Sequence, residues 1–211
     1  MRWIAPVVLA LLPTAATAAD PAVEHWRFRA YLDNAAVGEH LISVKRSGER
    51  WDVDSDAHFD VTVLGVPVFR YRHHSTEQWE AGCLDTLSAS TDENGRRRKV
   101  VASPDGDHLR VTASTRSPQE LAGCVMTYAY WNPALLDATH LLNAQTGENQ
   151  AIRITALGKD ALAVHGRRVA AWRYRLNTGR HDIDLWYSLD GQWLGLESTI
   201  AFGRRLRYVL E

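Results

Sequence analysis

Cysteine is scarce, long apolar runs are absent and neither sign of charge dominates. The 211-residue chain has two cysteines, two methionines and four phenylalanines, and 24 basic against 25 acidic side chains leave a net charge of −1. A balance this close to zero builds no field to steer nucleic acid, and 23% charged with 45% hydrophobic residues excludes a disordered polyelectrolyte. The longest apolar stretch, Ile4 to Leu12 broken by Pro6, is about half of the roughly 20 residues needed to cross a bilayer. No transmembrane anchor is expected. There is no H-E-x-x-H, no G-x-S-x-G and no C-x-x-C. No catalytic residue, metal or cofactor is therefore assigned from a motif.

The amino terminus does carry a signal. Arg2 supplies a positive start, the short apolar stretch follows, and Ala16-Thr17-Ala18 forms an A-x-A cleavage site. We read residues 1–18 as a signal peptide and 19–211 as a single β-rich exported domain, periplasmic or secreted. The cleavage region has no cysteine for lipid attachment. In an oxidising compartment the remaining pair, Cys83 and Cys124, is expected as a disulfide, with a catalytic thiol as the alternative.

Period-two alternation dominates the mature chain. His25 to Leu32 places Trp26, Phe28, Ala30 and Leu32 on one face. Further strands are expected over 37–45, 50–64, 68–79, 84–91 and 96–102, the last two joined by Asn94-Gly95, a strong hairpin signal. Others follow near 108–115, 150–156, 160–164, 168–176, 182–188, 192–200 and 204–210. Residues 116–131 read as a loop followed by a strand or a core wall at Val125–Trp131. Asn132-Pro133-Ala134-Leu135-Leu136 has a helix cap and a Pro at the first helical position, predicting one short helix ending near Leu142. About a dozen strands in one domain imply an all-β fold: a single antiparallel curved sheet, barrel or half-barrel.

Phe69 to Trp79 is the most informative internal segment. On a strand, Phe69, Tyr71, His73, Ser75, Glu77 and Trp79 share the inner face, and burying the polar members requires partners or a polar cavity. A His73–Glu77 hydrogen bond is the structural reading, a ligand pocket the functional one. Asp52, Asp54, Asp56, His58 and Asp60 share a face that we read as solvated rather than metal-binding, and His181-Asp182-Ile183-Asp184 is read likewise. Arg96 to Lys99 and Arg204, Arg205 and Arg207 suit anionic headgroups or solvated edge protection.

The ordered set Val37-Gly38, Tyr71-x-His73, Glu77-x-Trp79, Tyr130-Trp131-Asn132-Pro133, Gln145-Thr146-Gly147 and Asp184-Leu185-Trp186-Tyr187 resembles an exported proteobacterial β-rich domain family of unknown function. The resemblance spans nearly the whole mature chain and implies no activity. More distantly, Asp184 to Glu197 is similar to the closing hairpins of periplasmic lipoprotein carriers, which fold as incomplete, strongly curved barrels around an acyl-chain cavity.

Together these features point to a non-catalytic binding protein for a lipid or other apolar or amphipathic small molecule. The candidate ligand-binding residues are Tyr71, His73, Glu77, Trp79, Trp131, Asn132 and Trp186, with Trp26, Phe28 and Phe69 around the apolar part. Alternatives are an interaction module with an envelope protein partner, and an acid–base enzyme using His73 and Glu77.

Overall fold

The computed structural model describes residues 22–211. The expected signal peptide and its cleavage site lie outside the described residues. Strand alternation governs almost everything else. In β1 (Ala22–Leu32) Trp26, Phe28, Ala30 and Leu32 are buried as expected. The chain then runs as an antiparallel meander through β2 (Ala35–Ser47), β3 (Arg50–Val63), β4 (Val66–Glu80), β5 (Cys83–Glu93), β6 (Arg96–Asp105), β7 (His108–Ala113) and β8 (Arg116–Ala122). After a linker, a second meander comprises β11 (Arg153–Val164), β12 (Arg167–Asn177), β13 (Asp182–Ser188), β14 (Trp193–Thr199) and β15 (Arg205–Leu210).

The last strand pairs with the first. This joins both meanders into one 13-stranded sheet of order β11-β12-β13-β14-β15-β1-β2-β3-β4-β5-β6-β7-β8, open between β8 and β11. Bulges at Ala30/Tyr31, Val61/Thr62, Gln78/Trp79 and Trp186/Tyr187 bend the long strands and increase their twist. The sheet curls because each bulge lengthens one strand locally against its neighbour. Gly38 permits the close approach of β2 to β3: a Cβ there would collide with the carbonyl of His58. Chain direction reverses at every turn. The turns after β1, β3, β5, β7, β12 and β14 therefore share one end, the upper end, and those after β2, β4, β6, β11 and β13 the lower.

The linker threads the concave side. Cys83 and Cys124, with sulfurs 2.01 Å apart, pin its start to the lower turn between β4 and β5, and Leu84 N–H donates to Val125 C=O. Val125, Met126, Ala129, Trp131, Leu135, Leu141 and Leu142 then share one core with strands on both sides of the β15–β1 junction. Val125–Trp131 is thus a core wall and not a strand. The expected helix is a 3-10 turn over Pro133–Asp137, and it stops well before Leu142. Asn132 caps it and buried Leu135 anchors it, but Ala138 is already extended, and β9 (His140–Leu142) pairs with β10 (Asn149–Ala151). Pairing satisfies those backbone groups where a helix would pull Leu141 and Leu142 out of the core. The strands expected at 150–156 and 160–164 are likewise one strand, β11, because Gly158 forms a bulge instead of a turn.

The linker also straps the open side of the sheet. Glu148 lies 3.5 Å from Arg116 on β8 and 3.6 Å from Arg180 in the loop after β12. Gln119 donates to Gly147 C=O, and Gln150 Nε2 donates to Thr178 C=O at 3.2 Å. Among the described residues no helix is long and apolar enough to cross a membrane.

Candidate functional site

The concave side is filled at its lower end and hollow at its upper end. Below, Trp51, Trp79 and Trp131 pack with ring centroids 5.5–6.5 Å apart, and Phe28, Trp193 and Tyr130 form an adjoining stack. Above, a cavity of about 670 Å³ separates the linker from the inner faces of β2, β3, β4, β14 and β15. That volume suits a drug-sized or short-chain amphipathic molecule. Ile42, Val53, Ala57, Ala129, Ile183, Leu196 and Leu206 supply apolar wall, and Ile200, Arg180 and His181 stand towards the upper opening.

Strand register sets a polar row across this wall. His40, Ala57, His73, Thr91 and Arg98 are successive cross-strand partners on β2 to β6. Alanine in the middle leaves room between the histidines. His40 Nε2 bonds to Ser55 Oγ at 2.8 Å, and His73 Nδ1 to Thr91 Oγ1 at 2.9 Å. Burial, reinforced by His73, lowers the His40 pKa to about 3, and burial with the nearby His74 lowers that of His73 to about 4. Both rings are neutral at neutral pH and offer one donor and one acceptor nitrogen each. His40 Nδ1 is buried without a hydrogen-bond partner among the described residues. Tyr208 sits edge-on to His40 at 5.6 Å, and Tyr71 stacks on Phe59 at 5.3 Å.

Glu77 is the carboxyl of the wall. It is 8% exposed, its Oε2 accepts from Trp79 Nε1 at 2.8 Å and from Thr127 Oγ1 at 3.4 Å, and burial raises its pKa to about 7. Burial also raises the phenols of Tyr71, Tyr130 and Tyr208, and pushes Tyr128 up to about 12 while its hydroxyl donates to Gln150 Oε1 at 2.7 Å. At neutral pH the two imidazoles of the wall are uncharged and Glu77 is partly protonated, while Glu148 and Arg180 at its edge pair with each other.

Four of the sequence-predicted ligand-binding residues, Tyr71, His73, Glu77 and Trp131, line this cavity. Three do not. Trp79 lies behind Glu77 in the packed floor, fully buried, and Asn132 is used as a cap, its Oδ1 accepting from Ala134 N–H at 3.1 Å. Trp186 is on the opposite face of the sheet. There β11 folds back so that Val164, Ala171, Trp186 and Leu194 cluster, Trp186 Nε1 donates to Asp160 at 3.0 Å, and Arg173 covers the ring. Trp26 and Phe28 belong to the packed core, and Phe69 to a small cluster with Ala30, Leu32, Val37 and Val61 at the upper lip. No His73–Glu77 hydrogen bond forms: four strand residues separate their Cα atoms by about 13 Å. Each bonds to a different partner.

His40, Ser55, Thr127 and Tyr208 were not singled out by the sequence reading. His40 shares the period-two face of Ile42 and Val44, so the alternation in β2 carried its signal. Asp54, Asp56 and His74 bring possible ligand atoms within 4.8 Å of one another on the outer face, but all three are exposed. Asp184 is held by Arg173 at 2.5 Å and Arg175 at 2.7 Å, which accounts for its lowered pKa against the opposing effect of burial.

Residues 28–211 match the profile of a family described as a domain of unknown function (DUF6134). No curated protein matches the chain in sequence. In fold it is similar to the crystal structure of a beta-barrel-like protein of domain of unknown function DUF1849 from Brucella abortus. The TM-score is 0.65 at 13% identity, over 93% of this chain and 98% of that one.

Proposed function

The chain belongs to the DUF6134 family, and from its hollow upper half we propose a non-catalytic binding protein for a lipid or other amphipathic small molecule, acting after export. The observation that carries this reading is the cavity of about 670 Å³, whose apolar wall is crossed by one band of buried, hydrogen-bonding, uncharged groups. An apolar chain lies against Ile42, Ile183, Leu196 and Leu206, and a polar end bonds to His40, Ser55, His73 and Ser75. That end is uncharged, because an ionised group buried among neutral partners costs several kcal/mol. The leader at residues 1–18 and the cysteine pair support a periplasmic or extracellular location.

Displacement of an environment-sensitive naphthalene probe by a long-chain alcohol tests the reading. We expect one saturable site per protein, and affinity about 5- to 30-fold weaker in His73→Leu, which loses a bond worth about 1–2 kcal/mol in a dry site. Failure of every uncharged amphiphile to displace the probe would reject it. The acid–base alternative draws no support from the geometry, since His73 and Glu77 do not meet.

A further inference from the structure

Two of the sharp turns at the upper end have unusual residues at their tips. The turn between β3 and β4 presents Leu64 at 99% exposure, and the turn between β14 and β15 presents Phe202 at 100%. Among the described residues these are the most exposed large hydrophobic side chains. Each also has positive φ, 50° at Leu64 and 61° at Phe202, and each precedes a glycine of positive φ. Asparagine, aspartate or glycine normally occupies such a position, because a bulky side chain there is strained. Asn94-Gly95, another upper turn, has the usual pair. Ala81-Gly82 and His165-Gly166 repeat the backbone conformation at the lower end, but among the described residues only Leu64 and Phe202 combine it with a large, fully exposed apolar side chain.

The surroundings extend the pattern. Val63, Val66 and Val68 flank Leu64 at 49–60% exposure, and no charged residue occurs between Asp60 and Arg70. The β14–β15 turn lies four strand spacings away along the sheet, about 19 Å. Ile200 and Leu206 beside it belong to the cavity wall, so Phe202 stands at the mouth of the cavity. Around them are Arg70, Arg96, Arg97, Arg204 and Arg205, against Asp33, Asp60, Asp92, Glu93 and Glu197; Arg70, Arg97, Arg204 and Arg205 pair with Asp60, Asp92, Asp33 and Glu197 but keep 38–87% of their side chains exposed. At the lower end acids and bases balance, with Glu49, Glu80, Asp85, Asp105, Asp107 and Asp190 near the turns against Lys45, Arg46, Arg50, Arg110, Arg167 and Arg168.

From this geometry we propose that the upper end docks on an anionic lipid bilayer, with Leu64 and Phe202 inserted among the headgroups and the surrounding arginines on lipid phosphates. Apolar tips ringed by guanidinium groups match the layered chemistry of such a surface, apolar below and anionic above. The opposite end, which carries neither tip, faces away. Docking in this orientation sets the cavity mouth against the membrane. The surface stands independently of whether the cavity holds a lipid.

Co-sedimentation with vesicles of phosphatidylcholine containing about 30% phosphatidylglycerol, compared with pure phosphatidylcholine, tests the proposal. The mature wild-type protein should pellet with the anionic vesicles, and less so in high salt. The double variant Leu64→Asn/Phe202→Asn should bind at least about 10-fold more weakly, while its melting temperature holds or rises, because asparagine tolerates positive φ. Wild-type protein left in the supernatant with anionic vesicles, or undiminished binding by the double variant, would overturn it. So would a wild-type dimer that the double variant dissociates, which would make the tips a self-association face. Probe displacement on the wild-type protein without vesicles separates the two questions: a wild type that binds the probe but stays in the supernatant with anionic vesicles rejects only the surface, and one that pellets with them but binds no probe rejects only the cavity reading.

Discussion

Replacing Glu77 by glutamine should remove the pH dependence of stability that the buried carboxyl imposes. In the unfolded chain this group ionises near 4.5, whereas in the fold it does so near 7, because burial outweighs the hydrogen bonds from Trp79 and Thr127. The folded state therefore holds its proton longer. Stability from this group is complete below about pH 4.5, falls as pH rises, and is lower by about 3 kcal/mol once pH passes 7, at about 1.4 kcal/mol per tenfold change in proton affinity. Glutamine keeps an acceptor for the Trp79 indole and cannot ionise. Urea unfolding of both proteins, followed by tryptophan fluorescence between about pH 4 and about pH 8, isolates the difference, since every other titrating group is common to both. Glu77→Gln should be no more stable than wild type at the acid end and more stable by up to about 3 kcal/mol at the alkaline end. Parallel stability curves would refute the reasoning, because they would mean that the carboxylate ionises in the fold as freely as in water.

His40 and His73 act in the other direction. Their folded pKa values, about 3 and about 4, lie below the ordinary 6.5, so the stability they contribute is full above 6.5 and is lost as pH falls towards 4; His40→Gln/His73→Gln should melt with a shallower acid dependence than wild type. Cys83→Ser/Cys124→Ser opens a cross-link spanning 41 positions, and chemical denaturation should show a loss of up to about 4 kcal/mol. Gly38→Ala forces a Cβ onto the His58 carbonyl, and the same denaturation should show a loss of about 1–3 kcal/mol with β2 and β3 exchanging amide protons faster.

Much of this fold is legible because strands advertise themselves. Trp26, Phe28, Ala30 and Leu32 alternate without exception, and Asn94-Gly95 marks its hairpin by a conformation few other residues accept. Leu64-Gly65 and Phe202-Gly203 make comparable turns that only their glycines, with Pro67 after the first, signal. The linker was harder to read, because a helix cap and Pro133 describe only one turn; the fate of Leu141 and Leu142 depends on a core assembled from both meanders. The site follows the same division. Tyr71, His73 and Glu77 were found from the parity of β4, which fixes their face. Trp186 was misplaced because the fold-back of β11 gives the outer face of β13 an apolar cover, and parity cannot say which face becomes concave. Trp79 and Asn132 share the correct side but occupy its filled half, a distinction that rests on side-chain volumes contributed by distant strands.

The central claim is that the upper cavity holds a molecule. Ala57, buried between His40 and His73, is the position at which a larger side chain would occupy that space with least change to the sheet. Native and denaturing mass spectra of the gently purified mature protein, wild type and Ala57→Phe, address the claim directly. The account predicts one noncovalent adduct in the native wild-type spectrum, absent under denaturing conditions and absent from a cooperatively folding Ala57→Phe. A bare polypeptide mass in both wild-type spectra, or an adduct that Ala57→Phe retains in full, would contradict it.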